Sequence, residues 1–209
     1  MILAEPRVKE CYLHLPRAST AEYWIEKFAR TCYQSRPVAD RSPDAFVRML
    51  IRRGHLAMLE HIVFTAIIEA DRGFTHELVR HRLASYAQES TRYCNYKKEK
   101  FGSQITVISP PGEMTDYQAS LFNEAYAHSE STYLKLVKSG VVPEIARMVL
   151  PIGIKAEIVI TANLREWLHI LELRDDPDAH PIMRSLAAQL KDELLKLVPS
   201  LSEYWEQSS

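Results

Sequence analysis

The chain has 209 residues, 46% of them hydrophobic, enough for a sizeable core, and residues 1–209 are expected to form a single domain. A formal net charge of −1 provides no global positive field, which argues against broad binding to nucleic acid or to an anionic membrane. Cys11, Cys32 and Cys94 lie far apart with no C-x-x-C pair, so neither a disulfide framework nor a thiolate zinc site is indicated and a reducing cytoplasm fits best. Glu5, Arg7, Lys9 and Glu10 interrupt any apolar leader core, and no run approaches membrane-spanning length.

In chain order, residues 5–15 read as a strand. A helix follows from Ser19 or Thr20 as N-cap, with Ala21, Trp24, Phe28 and Cys32 on one face and a stop before Pro37. Ser42 before Pro43 is an N-cap pattern for a second helix that turns Phe46, Met49 and Leu50 inward and stops at Gly54. From Ile62 to Asp71, apolar residues alternate with Val63, Thr65, Ile67 and Glu69, the period of a half-buried strand. Its polar end, Glu69 to Gly73, reads as a turn into a short helix through Leu78 and Val79, after which the chain becomes irregular. Residues 97–103 form a lysine-rich loop, Ile105 and Val107 a short strand, and Pro110-Pro111-Gly112 a break.

A long helix is expected from Thr115 to Ser139, with Ala119, Phe122, Tyr126, Tyr133, Leu136 and Val137 on one face and Gly140 past its end. Pro143 and Pro151 bracket a short helix. A second alternating strand spans Ile154 to Ala162, and Asn163 with Glu166 forms a capping-box pattern for a helix with Leu164, Trp167, Leu168 and Leu171 inward. Arg165 and His169 share another face of it. A last helix places Ile182, Leu186, Leu190, Leu194, Leu197 and Leu201 on one stripe. This order is not a regular βαβ alternation, so the expected class is α+β, a mixed or antiparallel sheet with helices over one face.

The chemistry concentrates between positions 80 and 93, where Arg80, His81, Arg82, Ser85, Gln88, Glu89, Ser90, Arg92 and Tyr93 crowd together. Three guanidinium forks beside two hydroxyls suit a pocket for phosphorylated ligands. No glycine-rich phosphate turn is present, so side chains must hold any nucleotide. No G-x-S-x-G elbow occurs, and Cys94 has no local partner that would activate it. His55 and His61 flank Glu60, and His76 and His81 lie five apart, but neither pair has H-E-x-x-H spacing, so no metal site is expected. Blander roles stand beside each residue. Arg80 and Arg82 could simply end a helix, Glu77 could pair with His81, Asn163 could only cap, Arg165 could be merely exposed, and Arg174 could serve Asp175, Asp176 or Asp178. Arg147, set in an apolar helix, points to a buried charged contact.

Arg80-His81-Arg82, followed by seven residues and Ser90 and then by Arg92-Tyr93, resembles the RHRx7S signature of the flavin-dependent thymidylate synthases, the ThyX family. Gly54-His55 to Glu60-His61 resembles that family's GHxxxxEH segment, Ile145-Ala146-Arg147 to Leu150-Pro151 its IAR..LP helix, Asn163-Leu164-Arg165 its N-x-R segment, and Leu173-Arg174 with Ala179-His180-Pro181 to Arg184 its final motif. Leu56-Ala57 stands where many members carry Ser or Thr, Gln88 where many carry Glu, and His180 where Gln is common.

The resemblance implies a ThyX-like fold, a homotetramer with sites between subunits, FAD as cofactor, and reductive methylation of dUMP to dTMP. NADPH and 5,10-methylenetetrahydrofolate are the co-substrates it implies. By position, Arg80, His81, Arg82, Gln88, Asn163, Arg165, His169 and the His55 to Ala57 segment are expected at FAD. Glu77, Arg80, Gln88, Glu89, Ser90, Arg92, Arg147 and Arg174 are expected at dUMP. Arg174 is expected to activate the uracil electrostatically, which agrees with the lack of an activated nucleophile. A non-catalytic nucleotide or flavin binder on the same scaffold is the alternative, with a metal-dependent hydrolase third.

Overall fold

A computed structural model describes residues 1–17, 19–37, 41–92, 96 and 102–206; Tyr93, Cys94 and most of the lysine-rich loop lie outside them. In chain order the elements are β1 (Ile2–Ala4), β2 (Arg7–His14), α1 (Ala21–Thr31), α2 (Pro43–Arg52), β3 (Val63–Asp71), α3 (Arg72–Leu78), β4 (Ser85–Gln88), β5 (Thr106–Ile108), α4 (Asp116–Lys138), α5 (Pro143–Ala146), β6 (Lys155–Asn163), α6 (Leu164–Arg174), α7 (Pro181–Leu197) and α8 (Ser202–Glu206). They form a mixed helix-and-strand fold. Strands β1 and β5 pair in parallel, with Ile2 beside Thr106 and Ala4 beside Ile108, and a four-stranded sheet runs in the order β2-β3-β6-β4. At one end of the β3-β6 pair Leu164 N donates to Ile62 O, and at the other Arg72 N donates to Ile152 O, so these strands run antiparallel.

The chain gathers into two compact units. The first comprises Met1–Arg7, Ile68–Arg80 and Ala87–Val159; the second comprises Val8–Ile67, His81–Tyr86 and Ile160–Ser209. The first has its own core of Tyr96, Ile105, Val107, Tyr126, Tyr133, Ala146 and Ile154. In the second, Trp167 is fully buried, its ring edge-on to Phe64 at 5.2 Å and its indole N–H donating to Phe64 O at 2.9 Å. That bond satisfies the one polar atom of a large apolar side chain.

The alternation expected of β3 and β6 is present: Phe64, Ala66, Ile68, Ala70 and Ala156, Ile158, Ile160, Ala162 are buried, and their sequence neighbours are half-buried. Caps define the helices. Thr20, not Ser19, accepts from Tyr23 N at α1, Ser42 accepts from Ala45 N at α2, and Thr115 with Gln118 makes a full capping box at α4. Gly54, at φ +70°, takes the left-handed position that ends α2.

Several expectations are corrected. Strand β3 continues through Asp71, whose carboxylate caps α3 by accepting from Phe74 N at 2.8 Å, so no turn intervenes. Ser85–Gln88 is a strand, not irregular chain. Helix α1 ends at Thr31, which leaves Cys32 exposed rather than inward. Of the α4 stripe only Tyr126 and Tyr133 are buried, and Phe122 is exposed. The short helix between the prolines divides into α5 and a 3-10 turn, Arg147–Val149. Helix α7 stops at Leu197, which is exposed, and Pro199 opens a 3-10 turn that returns Leu201 to the core.

Candidate active site

In the second unit three of the expected flavin residues, Asn163, Arg165 and His169, are carried by α6 and its N-cap. Its apolar face, Leu164, Trp167, Leu168, Ile170 and Leu171, is buried, which turns Arg165 and His169 outward one turn apart. Asn163 caps this helix, its Oδ1 accepting from Glu166 N at 2.9 Å. The capping box is only half made, because the Glu166 carboxylate faces the His81 ring, 3.9 Å from Nδ1. Asn163, Arg165 and His169 line one cavity of about 650 Å³ with Glu60, Leu83 and Tyr204. Arg165 Nη1 meets Glu60 Oε1 at 2.5 Å.

Arg174 is the last residue of α6, where a cation complements the helix dipole. Its Nε donates to His81 Nε2 at 2.9 Å. Asp175 accepts from Lys191, and Asp176 accepts from Asp178 N. His81 is buried, and its ring lies edge-on to that of His169 at 6.0 Å. Burial, then the Arg174 charge, then His169 lower its pKa to about 4, so the imidazole is neutral at ordinary pH. Tyr86 donates its hydroxyl to His81 O at 2.7 Å, and burial followed by the Glu166 charge pushes its pKa up to about 12. Arg82 is exposed nearby in sequence. His55 and Ala57 line a separate cavity of about 480 Å³ whose walls include Phe46, Met49 and Met58. No group of three His, Cys, Asp or Glu among the described residues is placed to hold a metal ion.

The first unit carries most of the expected nucleotide residues. Gln88 donates from Nε2 to buried Thr75 Oγ1 at 2.8 Å. Glu89 extends the β4 pairing, its N–H donating to Glu157 O at 2.8 Å, while its carboxylate takes Lys155 Nζ at 2.8 Å, Glu157 N at 3.2 Å and the Tyr96 hydroxyl at 3.4 Å. Ser90 Oγ accepts from Arg92 N, and Arg92 pairs with Glu144 at 3.0 Å. Arg147 donates to Thr91 Oγ1 and to Glu144 O, both at 3.2 Å. Glu77 is half-buried and Arg80 is exposed at the end of α3.

Glu60, Tyr86, Thr91, Lys155 and Glu166 thus hold expected site residues although none was singled out for a site. Only Glu60 carried a signal, its place in the GHxxxxEH segment.

The family described as thymidylate synthase complementing protein matches residues 15–200. This chain belongs to the flavin-dependent thymidylate synthase family. The flavin-dependent thymidylate synthase of Sulfurisphaera tokodaii is 34% identical over 173 residues, 82% of this chain and 65% of that protein. That of Geobacter sulfurreducens is 34% identical over 184 residues, 83% of this chain and 75% of that protein. The chain therefore spans 65% of the length of its relatives from Sulfurisphaera tokodaii and Saccharolobus solfataricus. In fold it is similar to the UMP/dUMP methylase PolB from Streptomyces cacaoi, crystallised with 5-Br dUMP, at a TM-score of 0.76 and 24% identity, covering 99% of this chain and 97% of that one. This likeness places the ThyX-like fold across nearly the whole chain, so the signature, the N-x-R segment and the final motif sit in a fold of the family that the sequence pointed to.

Proposed function

We propose that this chain catalyses the reductive methylation of dUMP to dTMP in the cytoplasm, with FAD as cofactor, 5,10-methylenetetrahydrofolate as carbon donor and NADPH as the source of electrons. The observation that carries this reading is helix α6, which bears Asn163, Arg165 and His169 at a cavity and Arg174 at its C-terminal end. His169 and Arg174, five residues apart, are separated by about 7.5 Å of helix rise, and the His81 ring meets both, lying edge-on to His169 and accepting from Arg174.

The residues present fit the cofactor. The cavity of about 650 Å³ offers a guanidinium, an amide and an imidazole, the donors that phosphate and ring oxygens need. Within the second unit Asn163, Arg165 and His169 would hold FAD with His81, Arg82 and the His55 to Ala57 segment, and Arg80 and Gln88 are assigned to it by resemblance alone. When bound, the flavin supplies the hydride that completes the methyl group. Arg174 presents a fixed positive charge to the uracil, favouring the N3 anion and its electron-rich C5, which would take the folate's one-carbon unit without a covalent enzyme nucleophile, tetrahydrofolate leaving and the C5 proton passing to solvent. Arg147 and Arg92 suit the nucleotide phosphate, and Gln88 and Ser90 suit its sugar and base edges. Ion pairing of Arg165 with Glu60 and of Arg92 with Glu144 keeps these cations oriented. Self-association as a homotetramer is part of the reading, and exposed Val142, Ile145, Met148, Val149 and Ile152 offer it an apolar surface.

Incubation of the protein with FAD, NADPH, methylenetetrahydrofolate and dUMP, followed by chromatography of the nucleotides, is expected to yield dTMP. Unchanged dUMP with unoxidised NADPH overturns the reading.

A further inference from the structure

His81 and Arg174 stand 93 positions apart, yet Arg174 Nε donates to His81 Nε2 at 2.9 Å. An arginine nitrogen only donates, so Nε2 carries the lone pair and the ring proton sits on Nδ1. Nδ1 faces Glu166 Oε1 at 3.9 Å, and that negative charge favours the same tautomer. The charged and titratable groups around the ring are Arg174, Glu166 and His169 from α6 and Tyr86 from β4. Two features keep the arrangement in place. The imidazole is buried, and its backbone oxygen is tied to the Tyr86 hydroxyl.

We propose that His81 is a positioning residue for Arg174: its neutral imidazole, with the proton on Nδ1 toward Glu166, accepts from the Nε edge of the guanidinium and sets the orientation in which Arg174 meets the uracil. This rests on Arg174 being the residue that activates the uracil, and it adds to the flavin contact implied for His81 by resemblance. A guanidinium swings about four side-chain torsions, so an acceptor on Nε fixes the plane that its terminal nitrogens share. A protonated ring would offer no lone pair and would repel Arg174. The depressed pKa of about 4 keeps the acceptor available at ordinary pH. A displacement of about 1 Å at such a group costs on the order of 100-fold in rate.

The test begins with nitrogen-15 NMR of labelled, FAD-loaded protein. The expected His81 signals are a protonated Nδ1 and an unprotonated Nε2 that resist titration down to about pH 4. A ring protonated on Nε2, or one titrating near its ordinary value of 6.5, overturns the proposal whatever the enzyme does. Turnover is then compared per bound flavin. His81→Gln, whose amide oxygen stands near the position of Nε2, should keep it within about threefold. His81→Leu should lose about 100-fold in kcat, with KM for dUMP moving far less. Equal losses in the two variants overturn the positioning role. A wild-type protein that makes no dTMP sinks the proposed activity, and the tautomer measurement still decides whether His81 orients Arg174.

Discussion

In the second unit the polar side chains hang from one helix with a buried face, whereas in the first they line a loop pinned by ion pairs. Helix α6 is anchored by Trp167, Leu168 and Leu171, so Arg165, His169 and Arg174 inherit the rigidity of a packed core. In the loop leaving β4, Thr91 and Tyr96 are buried, but the expected nucleotide residues Ser90 and Arg92 are half-buried and exposed. The loop is held by Glu89 on Lys155 and Glu157, and by the Arg92–Glu144 pair, whose side chains are 55% and 48% exposed. Exposed pairs contribute at most about 1 kcal/mol each, and buried packing contributes several times more. The contrast suits the proposed chemistry, in which the activating cation and flavin contacts of the second unit must stay fixed.

Changes that break the rigid side should cost most. Arg174→Ala should lower dTMP formation by about 10²–10³-fold while the protein still takes up FAD, read as turnover against visible absorbance. Trp167→Ala removes the largest fully buried side chain and should destabilise the fold by about 3–5 kcal/mol, read by denaturant unfolding. Acid should also act on the second unit through His81. Its pKa is lowered on folding from 6.5 to about 4, so between these values the unfolded chain binds the proton and the folded chain does not. Stability is expected to be full above about pH 6.5 and to fall as the pH drops toward 4, with His81→Gln flattening that slope in a urea series. On the adjustable side, Lys155→Ala strips Glu89 of its cation and should weaken dUMP binding by about tenfold, with the FAD content unchanged. Glu144→Ala should shift stability by less than about 0.5 kcal/mol, the smallest effect.

Legibility in the sequence follows the same division. Strands β3 and β6 announce themselves because alternating burial leaves a period of two, and the caps at Thr20 and Ser42 are local patterns of a few residues. Strand β4 leaves no such trace because Ser85–Gln88 is exposed or half-buried throughout and shows no apolar alternation. The C-terminal stripe overran because Leu201 keeps helical spacing while Pro199 has already ended the helix. The α6 capping box half-failed because a distant partner, His81, draws the Glu166 carboxylate, and no local rule reaches across that gap. Likewise Arg174 gave no hint whether nearby aspartates or the remote His81 would take its Nε, and Lys155 gave no hint of Glu89, 66 positions away. Motif residues were therefore readable by resemblance, while the side chains that orient them were not.

The most direct test of the account is an anaerobic single turnover on protein loaded with FAD and reduced by NADPH. With dUMP and methylenetetrahydrofolate both added, the flavin should reoxidise with one dTMP formed per flavin, and Arg174→Ala should leave it reduced. Reoxidation without dTMP, or a variant that turns over like the parent, would contradict it.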